Sequence, residues 1–223
     1  MYSEMKVQMA EVRAGRLTLE VLARQRLERL ASLNPQVNAV VEFHADAFLS
    51  QAMEADRQLA AGNALGLAGA IVTVKDNLNV KDMKSTAGVM KMKDNLDVAD
   101  SSVVDRLRQA GALILGKTNM APAAMDVQTD NPVYGRTNHP SFPDRTCGGS
   151  SGGGACAVSL GISDMDIGND LMGSIRIPAG FLRHIRLCSD GWKDSAGRVC
   201  RRRTHGQHTP SYAPCRHAGK ISG

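Results

Sequence analysis

The amino-acid sequence predicts an α/β fold, a mixed and largely parallel sheet flanked by helices. Two observations carry that expectation. Short β-branched or aliphatic runs bounded by glycine alternate with longer segments of helical periodicity, the order that builds parallel sheets. The apolar residues are also small: aromatics make up 4% of the 223 residues and apolar residues 43%. This composition suits a core of Ala, Val, Leu, Ile and Met, and a chain of this length can bury one.

The elements follow in order. Residues 5–12 and 18–33 show helical spacing; in the second, Leu19, Val21, Leu22, Leu27, Leu30 and Leu33 share one broad face. Asn34 and Pro35 are expected to stop that helix. Residues 38–43 (NAVVEF) form a short strand candidate, and residues 45–61 a helix ended by Gly62 and Asn63. Residues 69–74 (GAIVTV) are β-branched and lead into Lys75, which predicts a buried strand ending on a lysine. An amphipathic helix is expected over 102–109, closed by Gly111, and a buried strand over 112–115 (ALIL). Residues 131–149 are rich in Pro, Asn, Gly and Ser and read as a long loop. A helix of small residues over 155–160 and a brief strand over 165–167 complete the pattern.

After Phe181 neither period 2 nor period 3.6 is present. Residues 1–181 hold 18 Lys+Arg against 20 Asp+Glu; residues 182–223 hold 9 against 2. The net charge of +5 is therefore a property of the last 42 residues. We expect two regions: 1–181 as the folded part, and 182–223 as an irregular basic tail, disordered or derived from a frameshift. Nucleic-acid binding would rest on that tail alone and is disfavoured. Cys188, Cys200, His205, His208 and Cys215 lack a CxxC pair and fit no zinc-finger spacing, so no metal is expected. No run of 18 apolar residues occurs and the N-terminus has no apolar signal core, so no membrane association or secretion is expected. Five cysteines without paired spacing fit a reducing cytoplasm.

Two familiar motifs fail on context. Residues 111–118 (GALILGKT) fit the phosphate-loop pattern, but a helix precedes Gly111 and the middle residues are themselves a strand. Residues 148–152 (GGSSG) fit the nucleophile elbow, yet a turn-rich loop precedes the serine and His139 lies on the wrong side of it.

Chemistry concentrates in residues 147–178 (CGGSSGGGACAVSLGISDMDIGNDLMGSIRIP). Glycines around Ser150 and Ser151 tolerate positive φ and let a substrate approach the main chain. Alone, GGSSGGG reads as readily as a linker. A second serine element, DLMGSIRIP (residues 170–178), weighs against the linker. Serine is a weak nucleophile and needs a base; lysine serves when burial disfavours its charge, and Lys75 at the end of an apolar strand is the suitable one. Serines and a lysine without a placed histidine suggest amide or ester hydrolysis.

Five segments in this order, GAIVTVKDNLNV (69–80), GALILGKTNM (111–120), AMDVQTDNPVYGRTNHP (124–140), GGSSGGG (148–154) and GSIRIPAGF (173–181), resemble the amidase signature family. The resemblance is strong over about residues 66–181 and loose over 1–65. It implies the N-terminal portion of the amidase signature fold and hydrolysis of a carboxylic amide, a small molecule, through an acyl-serine. It implies Lys75 as base, Ser150 as a bridging serine after a cis peptide bond, and Ser174 as nucleophile. Ser151, Asp170 and Arg176 would support them, and the amides of Leu171, Met172, Gly173 and Ser174 would form an oxyanion hole. No metal or cofactor is implied, and a homodimer is left open. A relative of the amidotransferase catalytic subunits, and a catalytically dead fragment, are the alternatives. Two departures stand out. Met172 occupies a position usually held by glycine, where it would oppose positive φ and add bulk beside the hole. The long C-terminal portion of the family is replaced by the basic tail, from which we expect a broken reading frame near residue 181 and a truncated protein.

Overall fold

The structure is a computed structural model that describes residues 2–182, 191–193 and 199–201. In chain order the elements are α1 (Tyr2–Arg13), α2 (Leu19–Val37), β1 (Val40–Glu42), α3 (Ala45–Ala60), β2 (Ile71–Lys75), α4 (Ser102–Gln109), β3 (Leu113–Thr118), β4 (Asp130–Asn131), β5 (Gly135–Arg136), α5 (Gly152–Ser159), β6 (Met165–Ile167) and α6 (Arg176–Phe181). They lie in one unit, residues 1–186; residues 187–223 form another, in which β7 (Gly191–Lys193) and β8 (Val199–Arg201) pair antiparallel. Most of the basic tail, with Cys188, His205, His208 and Cys215, lies outside the described residues; Cys200 falls on β8.

The predicted α/β class holds. The main sheet has the order β1-β3-β2-β6, with β2 parallel to both β3 and β6 and only β1 antiparallel. Side chains alternate along these strands and divide the core in two. One face carries Ile71, Leu113 and Leu115 and packs with Leu19, Leu22, Leu30, Phe48 and Ala157. The other carries Val72, Val74 and Ile114 and packs with Val80, Met83 and Val104. An extra residue in β3 opposite Val72 and Thr73 shifts the register, so that Thr73 pairs with Gly116 and Lys75 with Thr118.

Three expectations are corrected. The second helix does not stop at Asn34 and Pro35 but continues to Val37. Pro35 lies in the last turn and gives up one N–H there without ending the helix, and the stop comes from Asn38 at φ 53 with its N–H on Asn34 O at 2.8 Å. The Asn34 side chain secures the exit, accepting from the N–H groups of Ala39 and Val40 at 2.9 Å and donating to Val40 O at 2.8 Å. The loop over 131–149 holds part of a two-stranded ladder, β4 with β5, organised by Asn131 Oδ1, which accepts from Val133 and Tyr134. Finally, α5 begins at Gly152, three residues before its predicted start; its glycines are buried, Gly152 against the Thr129 and Cys147 side chains, Gly153 against the main chain of Ala39 and Asn119, and Gly154 against the Asp166 carboxylate.

Candidate active site

Lys75 ends β2 with its side chain fully buried. Its Nζ donates to Ser150 Oγ at 2.7 Å and to Asn169 Oδ1 at 3.2 Å. Burial pulls the ammonium down to about 8, opposed by the negative charges of Asp166 and Asp170. A lysine in this state loses its proton around pH 8, well below an ordinary surface lysine.

Ser150 stands two residues before α5, fully buried, and the peptide bond between Gly149 and Ser150 is cis. Its carbonyl accepts from the N–H of Ala121 at 3.0 Å. Ser151 follows, and its N–H donates to Ser174 O at 3.0 Å, tying the two serine elements together through the main chain. The Ser151 hydroxyl is buried and makes no hydrogen bond. Thr129 holds the glycine turn from outside: its hydroxyl donates to Gly148 O and accepts from Gly152 N–H, both at 2.9 Å.

Asp170 builds the loop that carries Ser174. Its carboxylate accepts from the N–H of Gly173 at 2.6 Å, from those of Ile175 and Arg176 at 3.1 Å, and from Arg176 Nε and Nη2 at 3.0 Å. Burial alone would raise this carboxyl; the hydrogen bonds from Arg176, Gly173 and Ile175 outweigh it and hold the group well below the usual carboxylate range. The positive φ in the loop, +118°, falls on Gly173. Met172 has no positive φ, and its side chain is 77% exposed. The strain expected of Met172 is therefore absent. The amide of Gly173, one of the four expected oxyanion donors, is directed at Asp170 instead. Among the described residues the main-chain N–H groups of Met172 and Ser174 make no hydrogen bond to protein.

Lys75 and Ser150 are thus joined directly, while Ser174 is joined to them by the bond from Ser151; the hydroxyls of Ser150 and Ser174 do not bond each other. A cleft of about 590 Å³ lies alongside, lined by Val127, Gln128, Asp130, Arg136, Thr146 and Ile177 among others. Lys75, Ser150 and Ser174 do not line it, but residues beside the serines touch its walls: Gly149 lies against Val127 and Gln128, and Gly173 against Ile177.

Asn169 and Asp166 escaped the sequence reading. Asp166 accepts from the hydroxyls of Thr73 at 2.9 Å and Thr118 at 3.0 Å. The available signal was three polar residues, Thr73, Thr118 and Asp166, inside otherwise apolar strands. The last six residues of the phosphate-loop match at 111–118 form β3, and its Lys117 is buried, donating to Lys84 O at 3.1 Å and Asp76 O at 3.3 Å. His139 accepts from the N–H groups of Ser141 and Phe142 in a turn. No cluster of three metal-ligating side chains occurs among the described residues, and no helix there is long and apolar enough to cross a membrane.

Residues 21–211 match the family model Amidase. The chain is 40% identical over 171 residues to an indoleacetamide hydrolase of Bradyrhizobium diazoefficiens, covering 76% of this chain and 33% of that protein. It is 38% identical over 192 residues to one of the subunits of the glutamyl-tRNA(Gln) amidotransferase of a Synechococcus species, covering 86% of this chain and 38% of that one. Among solved structures, the native peptide amidase of Stenotrophomonas maltophilia superposes with a TM-score of 0.72 at 34% identity, over 76% of this chain and 36% of that one. The chain thus spans roughly a third of the length of these relatives. With its parallel sheet, its two serine turns and these matches, the chain belongs to the amidase signature family.

Proposed function

We propose that this chain carries the base, bridge and nucleophile of a hydrolase acting on small-molecule carboxylic amides. The observation that carries the reading is the 2.7 Å hydrogen bond between Lys75 Nζ and Ser150 Oγ at a buried site whose lysine is driven toward its neutral form. In the neutral state Lys75 accepts the Ser150 proton, and Ser150 in turn accepts the proton of Ser174 Oγ as that oxygen attacks the amide carbonyl. The N–H groups of Met172 and Ser174 are the donors left for the developing oxyanion, where one donor is typically worth about 10²–10³ in rate. The proton returns through Ser150 to the departing nitrogen, the C–N bond breaks, and water then releases the acid from Ser174.

The relatives named for indoleacetamide and peptide amide hydrolysis support this reaction class. The match to an amidotransferase supports a second reading, in which the same serines release ammonia for a partner. The free, buried thiols of Cys147 and Cys156 are in keeping with a cytoplasmic location.

A serine-directed fluorophosphonate tests the site. Labelling of Ser174 that is lost in Ser174→Ala supports the hydrolase; a wild-type chain that stays unlabelled is an inactive piece. Release of ammonia from glutamine, but not from simple primary amides, favours the second reading. The change of charge at residue 181 supports a change of reading frame there, although the family match runs to residue 211. Sequencing the gene beyond codon 181 decides: without a second frame that resumes an α/β pattern, the frameshift idea fails.

A further inference from the structure

Asp166 pairs with Thr73 across β6 and β2, and Lys75 stands two residues farther along β2. Residues two apart share a sheet face, so Asp166 and Lys75 are diagonal neighbours on one side of the sheet. The lysine stem leans toward β6, since a Cβ placed on Gly168 would lie 3.5 Å from Lys75 Cδ. The carboxyl of Asp166 is fixed. Its Oδ1 takes the Thr73 and Thr118 hydroxyls, and the Thr73 oxygen lies 3.0 Å from Ser163 Oγ. Its Oδ2 lies against Gly154 of α5, so closely that a Cβ there would come within 2.0 Å. The residue as a whole is half-buried because β6 is an edge strand, while its carboxyl is packed between sheet and helix.

We propose that Asp166 is a positioning residue whose charge sets the pH at which Lys75 becomes the neutral base, a role that rests on the hydrolase reading of the site. The surrounding groups leave it this task. On β3 it meets the neutral Thr118, and on α5 the glycines carry no charge. Past β6, Asp170 is the second anion acting on Lys75, but it is already paired with Arg176. Before β6, Asp164 is paired with Arg26 at 2.7 Å. Burial pushes the Asp166 carboxyl up to about 7, against the pull of both threonines and Lys75, so its charge changes in the range where Lys75 titrates. Two groups this close share their titration.

The test reads Lys75 itself. The 223-residue chain is labelled with ¹³C-lysine, the Lys75 Cε signal is assigned by its loss in Lys75→Met, and its midpoint is followed against pH without substrate. Asp166→Asn keeps an oxygen for both threonines and removes the charge. The midpoint is expected to fall by about one pH unit. Thr118→Val removes one hydroxyl that favours the carboxylate, and a smaller fall is expected; it decides the matter should the first variant not fold. A midpoint that stays or rises in a folded variant overturns the proposal, because an acid acting only as cross-strand glue would alter stability and leave Lys75 unmoved. Fluorophosphonate labelling separates the two readings: a shifted midpoint in a chain that never labels sinks the hydrolase and spares the coupling, and the opposite pair of results does the reverse.

Discussion

Lys75 is a cation placed where a cation is disfavoured, and two predictions follow from that single residue. Its base form dominates above about pH 8, so the rate of fluorophosphonate labelling should climb as pH passes through that value and level off above it. Lys75→Met should reduce labelling by at least ~10²; a rate independent of both pH and Lys75 would sink the relay. Stability should also depend on pH. Asp166, raised by burial, holds its proton in the fold above the pH at which the unfolded chain loses it, so stability falls as pH rises toward about 7. Lys75, lowered by burial, has lost its proton in the fold while the unfolded chain keeps it, so stability recovers above about pH 8. Asp76 and Lys117, both displaced chiefly by burial in the same senses, add to the trend. The melting temperature should therefore pass through a minimum between about pH 7 and about 8, and a maximum there would contradict the burial of both groups. The positions of Lys75 at a strand end and of Ser150 and Ser174 in glycine-bearing turns were legible because those features mark them locally. Asp166 was not, since its importance arises only when a strand more than ninety residues away from Thr73 is laid beside β2.

At the scale of elements, α5 reverses an ordinary rule. Alanine for glycine inside a helix normally stabilises by ~1 kcal/mol. In α5 a Cβ on Gly153 would lie 2.5 Å from Asn119 N and 2.6 Å from Ala39 O, both main-chain atoms with little freedom to yield. Gly153→Ala should instead destabilise by about 1–3 kcal/mol, read as a fall in the urea midpoint; a gain would show that the backbones are farther apart. This explains why the helix start was misplaced in the sequence. Three consecutive glycines announce flexibility when read locally, and only their neighbours in space, the side chains of Thr129, Cys147 and Asp166 and the main chain at Asn119 and Ala39, turn them into a packed helical face. The end of α2 was misread for a related reason: Pro35 is a local stop signal, whereas Asn34 reaches forward to fix the exit. The long strands β2 and β3 were legible from their β-branched and aliphatic runs, and α4 from its amphipathic spacing.

Across the whole molecule, Asp164 is the junction. It accepts from Arg26 of α2 at 2.7 Å, from Gln8 of α1 at 3.0 Å and from the Ile71 N–H of β2 at 2.9 Å, just before β6 begins. Its side chain is 6% exposed and that of Arg26 16%. Asp164→Ala takes the paired carboxylate from a largely buried guanidinium, leaving it the neutral acceptors Gly161 O and Gln8 Oε1, and should cost about 2–4 kcal/mol. Hydrogen exchange should then accelerate in α1 and α2 before the sheet; uniform acceleration would mean that the junction is not local. No pattern in the sequence announces this hub, since its partners come from α1, α2 and β2, all more than ninety residues before it. The fold class, by contrast, follows from alternation alone and survives errors at individual boundaries.

The bond from the Ser151 N–H to the Ser174 carbonyl joins the two serine turns without using a side chain. Mutation rewrites side chains and leaves peptide groups in place, so this spacer persists through changes at positions whose side chains point away, as long as the glycines that shape the turns are kept. The distance between Ser150 and the proposed nucleophile, Ser174, is thereby held against drift in the exposed part of the loop. A bulky methionine at position 172, turned out to solvent, is the sort of change such a frame absorbs.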